Sequence, residues 1–289
     1  MKITVITPTL NSEKTILDTL DSVSSQTYQN IEHIIVDGGS NDRTLELAKK
    51  HKNKRIRIIK KKSNIYEAMN IGIKRSKGNI IGILSGDDIY QNSLVLKNVE
   101  KKFKSNQKIK MVIGSLVYFR GNNYNRKIRF YENKSFSYNL FRFGIMPPHP
   151  STFIKKSVYM QNGLYDEKIL IASDFNFFLR ILFKKKINYA FLNKVLIRMR
   201  IGGVSTKNLL SSIKITNEIK YSLEKENINS FYLFILLRFF IKLKQFFFIP
   251  SKLDHDFKLN KKIQERLKER LHFKIVKSVN ILVEKNKNF

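Results

Sequence analysis

The first hundred residues alternate between strand-like and helix-like stretches, and this alternation most narrows the folds open to the chain. Short stretches rich in β-branched residues predict strands at 2–7, 31–36, 57–59 and 79–84. Stretches with apolar side chains at helical spacing predict helices at 13–26, 42–50, 65–75 and 94–103. Strands and helices that alternate at this spacing predict βαβ units around a parallel sheet.

Beyond residue 104 the pattern is less regular. It predicts strands at 111–117, 127–131, 188–191 and 195–200, and a helix at 173–183. The prolines of Pro147-Pro148-His149-Pro150 stiffen one loop, because each fixes its own φ and restricts the residue before it. From about residue 208 the chain becomes helical, apolar and basic.

Polar turns follow several of the predicted strands. They are Thr7-Pro8-Thr9, the stretch from Asp37 to Asp42, and Ser85-Gly86-Asp87-Asp88. In open α/β sheets, ligands bind beyond the carboxyl ends of the strands, so we expect these turns to line one crevice. The second turn is not a dinucleotide-binding fingerprint, because the G-x-G-x-x-G spacing is missing.

The Asp87-Asp88 pair is a candidate metal site. Adjacent carboxylates repel each other unless a cation or hydrogen-bond donors compensate. Mg²⁺ and Mn²⁺ take oxygen ligands, and they often join one carboxylate to a substrate diphosphate. A turn or helix cap before Asn92-Ser93 is the competing interpretation, and an isolated Asp-Asp pair fits it equally well.

Other carboxylates also have both a functional and a structural interpretation. Asp37 ends a buried strand, where it suits hydrogen bonds from a nucleobase or ribose. Asp42 lies near a helix N-terminus, and we prefer a structural role for it because the helix dipole favours a carboxylate there. Asp174 begins an otherwise apolar helix, where a cap formed by Ser173 or Asp174 competes with a catalytic role.

Together these elements resemble the family 2 glycosyltransferases over roughly residues 1–206. The similar segments, in order, are ITPTLNSEKTI, SVSSQTYQNIEHIIVDGGSNDRT, IYEAMNIGIKRSKGNIIGILSGDDIY, MPPHPSTFIKKSVY, YDEKILIASDFNFFLRIL and VLIRMRIGGVST. Their order and spacing make the resemblance specific. It implies the glycosyltransferase A-type fold, which is a Rossmann-like α/β architecture. A mixed, mainly parallel sheet is then flanked by helices, and here a helical C-terminal extension follows it.

The resemblance also implies roles for individual positions. Asp174 would be the catalytic base, and Asp88 would ligate the metal. Contacts to the nucleotide-sugar are implied at Thr7, Pro8, Thr9, Asp37, Asn70 and Asp87. Contacts to the acceptor or the diphosphate are implied at His149, Arg198, Arg200 and Ser205.

The activity that the resemblance implies is an inverting transfer that depends on Mn²⁺ or Mg²⁺. The donor would be a nucleotide-sugar, expected to be UDP-linked. The acceptor would be a glycan or a lipid-linked molecule, as in bacterial cell-surface polysaccharide synthesis. The chain has no tryptophan, so the Gln-x-x-Arg-Trp signature of processive members is absent, and we expect addition of a single sugar.

We divide the chain into a catalytic domain at 1–206 and a basic, aromatic-rich helical extension at 207–289. Within the catalytic domain, 1–104 would be the nucleotide-sugar-binding half and 105–206 the acceptor-side half. An enzymatic alternative is a nucleotidyltransferase, because such an enzyme also needs an acidic metal site at a strand end.

The net charge of +32 has three possible explanations: a solvated Lys-rich surface, binding to an anionic membrane, or binding to a nucleic acid. Residues 207–289 carry 18 Lys and Arg against 8 Asp and Glu, a density close to that of the rest, so there is no discrete basic tail. No nucleic-acid-binding module is recognisable, so we expect no nucleic-acid partner. A basic nucleic-acid-binding protein nevertheless stays the non-enzymatic alternative.

Residues 231–249 are mostly apolar, with Arg238, Lys242 and Gln245 forming a narrow polar stripe at helical spacing. This segment either docks on the catalytic domain or lies, with the rest of 231–289, at a membrane surface. The sequence has no cysteine, no signal-peptide pattern and no uncharged apolar stretch of membrane-spanning length. We expect a cytoplasmic protein, peripheral on the inner face of the cytoplasmic membrane, and leave its oligomeric state open.

Overall fold

The structure of the chain, a computed structural model, describes residues 1–53, 55–121, 123–132, 136–202, 209–247, 249–250, 257, 260–266 and 268–269. The strands in these ranges are β1 (Ile3–Thr9), β2 (Ile31–Asp37), β3 (Ile56–Lys60), β4 (Ile80–Ile83), β5 (Ile89–Tyr90), β6 (Met111–Arg120), β7 (Asn123–Tyr131), β8 (Thr152–Lys155) and β9 (Tyr189–Arg200). The helices are α1 (Ile16–Ser24), α2 (Thr44–Lys50), α3 (Ile65–Arg75), α4 (Val95–Ser105), α5 (Lys156–Asn162), α6 (Ser173–Phe178), α7 (Leu209–Lys225) and α8 (Tyr232–Phe247). Shorter helical turns cover Tyr138–Phe143 and His149–Ser151, and the π-helical stretch Leu179–Lys184 continues α6.

One sheet runs through the described structure in the order β3-β2-β1-β4-β8-β6-β9-β5, with β7 paired to β6 off this path. β1 lies between β2 and β4 and is parallel to both. β3 continues the parallel arrangement beside β2, whereas β8 runs antiparallel to β4 and to β6. The parallel βαβ arrangement predicted for the first hundred residues is therefore confirmed, and antiparallel pairing is confined to the other half of the sheet.

Apolar side chains cover both faces of β1. Successive residues of a strand point to opposite faces, and accordingly Val5 and Ile6 belong to different apolar clusters. Ile6 packs with Met69 and Ile73 of α3, while Val5 packs in the cluster that contains Leu96 of α4. The carboxyl end of β1 is thereby held between two packed helical layers.

The C-terminal extension packs on the rest of the chain at two places. Ile219 of α7 and Ile235 of α8 are buried in the same apolar cluster as Phe141. Ile263, within the helical residues 261–266, is buried against Ile89 and its neighbours. Among the described residues, no helix is both long and apolar enough to cross a membrane.

The structure differs from the sequence prediction in β9, α6, β8 and α5. The strands predicted at 188–191 and 195–200 form one strand, β9, whose pairing with β6 shifts register beside Ser115. That irregularity is what interrupted the apolar pattern. The helix predicted at 173–183 changes at Leu179 to a π-helical stretch, in which the Lys185 N–H donates to the Arg180 carbonyl. β8 and α5 were not predicted, because both are short and directly follow the proline-rich loop.

A close contact between α3 and β1 gives a test of this packing. A Cβ atom on Gly72 would lie 2.4 Å from Cγ2 of Ile6. Alanine is normally favoured over glycine in a helix by about 1 kcal/mol, but overpacking a core costs about 1–3 kcal/mol. We therefore expect Gly72→Ala to lower the free energy of unfolding, measured by urea denaturation.

The control is the same substitution in an Ile6→Ala background, which removes the colliding side chain. There, Gly72→Ala should be neutral or stabilising. An equal loss of stability in both backgrounds would contradict the packing of α3 on β1.

Candidate active site

The polar turns predicted to line one crevice lie side by side at the carboxyl ends of β2, β1 and β4. The register pairs Thr9 with Asp37, and the Gly38 N–H donates to the Thr9 carbonyl at 2.9 Å. On the other side, the Gly86 N–H donates to the Pro8 carbonyl at 3.2 Å. A Cβ atom on Gly86 would lie only 2.6 Å from Oγ1 of Thr9, so a glycine is needed for the two turns to approach this closely.

Asp88 is a deeply buried carboxylate of this edge, with 1% of its surface exposed. Its Oδ1 accepts a hydrogen bond from the Arg200 N–H at 2.9 Å, whereas its buried Oδ2 has no hydrogen-bond partner. Burial, reinforced by the charge of Asp87, holds the pKa of Asp88 well above its ordinary value. A buried carboxylate with one open oxygen calls for a proton or a cation.

Asp87 lies beside it and is half-buried, and burial raises the pKa of its carboxyl while Arg200 opposes that rise. Nε of Arg200 donates to the Asp87 carbonyl at 3.3 Å, and its Nη2 donates to the Tyr124 hydroxyl at 2.9 Å. The guanidinium also lies 4.8 Å from the ring centre of Phe119. Arg200 is thus fixed as a cation next to the acidic turn.

A chain of hydrogen bonds behind Arg200 was missed by the sequence analysis. The Tyr124 hydroxyl donates to Oδ2 of Asp18 at 2.6 Å, and Nε of Arg266 donates to Oδ1 of Asp18 at 3.0 Å. This network joins α1, β7 and the C-terminal extension to the acidic turn. No local sequence pattern predicts this network, because Asp18 and Arg266 are 248 residues apart in sequence.

Asp174 lies in the first turn of α6. Its Oδ1 accepts hydrogen bonds from the Phe175 N–H at 2.8 Å and from the Tyr66 hydroxyl at 3.2 Å. Burial raises the pKa of Asp174 to about 6, although these hydrogen bonds and Lys242 act in the opposite direction. The helix begins after Ala172 without a side-chain cap, so the capping role considered for Ser173 or Asp174 is not what the structure provides.

Tyr118 of β6 is affected electrostatically by both the acidic turn and Asp174. Burial raises the pKa of its phenol, Arg129 opposes this rise, and the negative charges of Asp88 and Asp174 add to it. Asp88 and Asp174, from two different parts of the fold, therefore act on the same tyrosine.

Several predicted contact residues are engaged within the protein itself. The fully buried Thr7 shares a hydrogen bond of 2.9 Å with Nε2 of His33. Asp37, also fully buried, accepts from the N–H groups of Gly39 and Ser40 and from the Ser40 hydroxyl. These side chains hold the turns in place in this structure. Thr9 differs, since its buried Oγ1 has no hydrogen-bond partner.

Asn70 and His149 likewise brace the segment around Tyr165. Nδ2 of Asn70 donates to the Tyr165 carbonyl and to Oε1 of Glu167, both at 2.9 Å, and its Oδ1 accepts from the Tyr165 N–H at 3.1 Å. Nε2 of His149 lies 2.7 Å from the Tyr165 hydroxyl. Burial lowers the pKa of His149 to about 4, so the imidazole is neutral at neutral pH.

The two predicted arginines have different surroundings. Arg198 is fully buried, donates to Oε1 of Gln91 at 2.9 Å and stacks 3.5 Å from the ring centre of Phe257. It therefore supports the sheet edge, whereas Arg200 faces the acidic turn. Ser205 lies outside the described residues.

The residues of the acidic turn fit a divalent cation that a ligand helps to hold. Among the described residues, no cluster of three or more His, Asp or Glu side chains forms a complete metal cage. Mg²⁺ is typically bound through one or two carboxylates together with substrate phosphates and water. The open, buried Oδ2 of Asp88 and the neighbouring Asp87 provide such an incomplete set.

Sequence comparison decides the family. The model of glycosyl transferase family 2 matches residues 4–180. The chain belongs to this family. An uncharacterized glycosyltransferase of Rickettsia prowazekii is 26% identical over 211 residues, and the match covers 71% of this chain and 66% of that protein. GlyG, a glycosyltransferase of Streptococcus pneumoniae, is 35% identical over 97 residues, which cover 32% of each chain.

Solved structures place the chain in the same fold as other glycosyltransferases. TarS of S. aureus, in complex with UDP-GlcNAc, aligns with a TM-score of 0.61 at 18% identity, covering 91% of this chain and 78% of that one. The mannosyltransferase PcManGT of Pyrobaculum calidifontis, in complex with GDP-Man and Mn²⁺, aligns with a TM-score of 0.58 at 17% identity, covering 78% and 64%. The predicted glycosyltransferase A-type fold of this family 2 chain is thereby confirmed.

The hydrogen bond from Tyr66 gives a test of the surroundings of Asp174. The Tyr66 hydroxyl is shared between the Ile171 carbonyl, at 2.5 Å, and the Asp174 carboxylate, at 3.2 Å. Tyr66→Phe removes this shared donor, so the pKa of Asp174 should rise above about 6. A complete charge-assisted hydrogen bond corresponds to about one pH unit or more, so the rise from a shared one should be at most about one unit. Carbon NMR titration of the Asp174 carboxyl measures this.

Tyr159→Phe is the matched control, because it removes another buried phenol whose hydroxyl contacts Tyr165 instead of Asp174. It should leave the titration unchanged. A titration that does not move in Tyr66→Phe would contradict the contact.

Proposed function

We propose that this chain transfers a single sugar from a nucleotide-sugar to an acceptor hydroxyl, with inversion and with a divalent cation, Mn²⁺ or Mg²⁺. The observation that carries the proposal is the half-satisfied, buried carboxylate of Asp88. Family membership supports sugar transfer. The ligands of the similar structures, UDP-GlcNAc in TarS and GDP-Man with Mn²⁺ in PcManGT, support a nucleotide-sugar donor and a metal.

Asp88 and Asp87 would hold the cation together with the donor diphosphate. When bound, a divalent cation supplies Lewis-acid stabilisation of the charge that develops on the leaving diphosphate. Arg200 adds a fixed positive charge beside it, held in place by Tyr124 and the Asp87 carbonyl. We propose UDP as the nucleotide, which agrees with the similarity to UDP-bound TarS.

Asp174 would act as the general base. It takes the proton of the acceptor hydroxyl as that oxygen attacks the anomeric carbon. The bond from that carbon to the phosphate oxygen breaks, and the nucleoside diphosphate leaves with the electron pair. One direct displacement inverts the configuration at the anomeric carbon. A base with a pKa of about 6 is unprotonated at neutral pH and still able to accept a proton in the transition state.

Replacing the base should separate chemistry from donor binding. We expect Asp174→Asn to reduce the transfer rate by about 10²–10⁴-fold, the usual contribution of a positioned base. The affinity for UDP should be unchanged, measured by calorimetry. In the wild type, kcat/KM should fall about tenfold for each pH unit below about pH 6, because the carboxylate becomes protonated.

Loss of UDP affinity equal to the loss of rate would contradict the assignment of Asp174 as the base. So would a pH profile that stays flat down to about pH 5.

Replacing the metal ligand, in contrast, should change the binding of the nucleotide. We expect Asp88→Asn to abolish the increase in UDP affinity that Mn²⁺ causes in the wild type, because the open carboxylate oxygen is lost. Asp42→Asn is the matched control, since Asp42 accepts hydrogen bonds from the Thr44 and Glu13 N–H groups and has a structural role. UDP affinity is measured by calorimetry with and without Mn²⁺. If Mn²⁺ raises the UDP affinity of Asp88→Asn as much as that of Asp42→Asn, the metal site is rejected.

We further propose that α8 attaches the protein to an anionic membrane surface and that the acceptor is lipid-linked. The polar stripe of α8 faces inward, because Arg238 is 1% exposed and Gln245 accepts a hydrogen bond from Arg129. The outward face is apolar and open: Leu233 is 65% and Phe240 70% exposed. An apolar helix face on a chain with a net charge of +32 complements an anionic bilayer interface.

Liposome flotation tests the membrane proposal. Burial of a leucine or phenylalanine side chain is worth about 1.5–3 kcal/mol, so Leu233→Ser with Phe240→Ser should weaken binding to phosphatidylglycerol vesicles at least tenfold. The matched control is Met160→Ser with Leu170→Ser, which changes exposed apolar residues of the catalytic domain. Equal flotation of the two double variants would reject membrane attachment through α8.

A further inference from the structure

The inner face of α8 carries a cluster of cations that glycosyl transfer from a nucleotide-sugar does not by itself explain. Arg238 and Lys242 are one helical turn apart, and Gln245 lies on the same face. Arg129 of β7 donates through Nε to Oε1 of Gln245 at 2.7 Å. This set, Arg129, Arg238 and Lys242, is called the inner cation cluster below.

Arg238 is buried and incompletely hydrogen-bonded. Its Nη2 donates to Oγ1 of Thr216 at 2.7 Å and to the Ser212 carbonyl at 3.2 Å. Its Nε and Nη1 are buried without a hydrogen-bond partner. An arginine with 1% exposure and two open nitrogens is costly unless an acceptor reaches them.

Among the described residues, no carboxylate forms an ion pair with Arg129, Arg238 or Lys242. The ion pairs that the described residues form involve other side chains. Burial lowers the pKa of Lys242 to about 7, and the charges of Arg238 and Arg129 lower it further. Asp174 acts on Lys242 in the opposite sense. Among the described residues the cluster thus has aromatic neighbours and the influence of Asp174 but no ion-pair partner, and an anion would satisfy its open donors.

The cluster also interacts electrostatically with the candidate base. Asp174 and Lys242 each influence the pKa of the other, and Asp174 and Arg129 both influence that of Tyr131. The acidic turn of Asp87 and Asp88, where the donor diphosphate belongs, has Arg200 as its cation. With the donor diphosphate placed at the acidic turn and Arg200, the inner cation cluster is available to an anion on the molecule that brings its hydroxyl to Asp174.

We propose that Arg129, Arg238 and Lys242 bind a phosphate or diphosphate group carried by the acceptor. This inference rests on the proposed glycosyl transfer, and it specifies the acceptor as a phosphorylated molecule. The open nitrogens of Arg238 and the ammonium of Lys242 supply charge-assisted donors to phosphate oxygens. The phosphate group can be part of a lipid-linked diphosphate or of a free soluble one, and the test separates these sources.

Calorimetry with inorganic pyrophosphate in EDTA tests the cluster without a metal at the acidic turn. We expect Lys242→Gln to weaken pyrophosphate binding about ten- to hundredfold, the usual effect of losing a charge-assisted hydrogen bond. Lys214→Gln on α7 is the matched control, because it removes the same charge from an exposed position. Lys242→Arg keeps the charge and should restore most of the affinity, and Lys242→Met is a second neutral variant that keeps the aliphatic stem.

Further measurements distinguish a lipid-linked from a free phosphate group, and distinguish failure of this site from failure of the proposed glycosyl transfer. Binding of pyrophosphate and farnesyl diphosphate with equal affinity indicates a free phosphate group, and tighter binding of farnesyl diphosphate indicates a lipid-linked one; both support the site. Equal pyrophosphate affinity in Lys242→Gln and Lys214→Gln overturns it. A parallel loss of Mn²⁺-dependent UDP affinity in Lys242→Gln also overturns it, because the cluster would then serve the donor. Failure of the wild type to bind UDP or to hydrolyse any nucleotide-sugar would reject the proposed function, while the pyrophosphate result would still stand.

Discussion

The buried carboxylate of Asp88 is the constraint on which the rest of the site depends. Ionised carboxylates avoid such positions unless donors or cations compensate. One oxygen is satisfied by the Arg200 N–H, which reaches it only because β5 pairs with β9 and places Ile89 opposite Arg198. The other oxygen is open. The order of the sheet, with β1 between β2 and β4, brings the neighbouring polar turns to the same edge. The position of the Asp88 carboxylate thus depends on both the β5–β9 pairing and the order of the parallel strands.

The amphipathicity of α8 is inverted relative to an ordinary surface helix, and this links the two sides of the proposed function. Its cations and amide face the protein, and its described aromatic and aliphatic residues are exposed except for Ile235, which is buried in the core. A surface helix normally buries its apolar stripe. The inverted arrangement places a candidate lipid-facing surface and a candidate phosphate site on opposite faces of one helix. An acceptor with a lipid tail and a phosphate group would satisfy both.

Sequence reasoning predicted the elements whose signal is local. α3 spans Ile65–Arg75 as its apolar spacing predicted, and β1, β2 and β4 appear within two residues of their predicted ends. It could not predict how side chains are used once the chain folds. The Thr7 hydroxyl is taken by His33, and the Asp37 carboxylate by its own turn. The network through Tyr124 and the cations of α8 depends on contacts between distant segments, which no local pattern encodes. The metal ligands and the base stay predictions supported by geometry.

The central claim is that the acidic turn and Asp174 together transfer a glycosyl group, and the identity of the phosphorus-containing product tests it most directly. Purified protein is incubated with Mn²⁺ and a panel of UDP-linked and GDP-linked sugars, and the products are followed by phosphorus NMR. The account predicts that the nucleoside diphosphate accumulates, with no accumulation in Asp88→Asn. Release of the sugar 1-phosphate, which signals transfer of the nucleotidyl group instead of the sugar, or accumulation of the diphosphate at the wild-type rate in Asp88→Asn would contradict it.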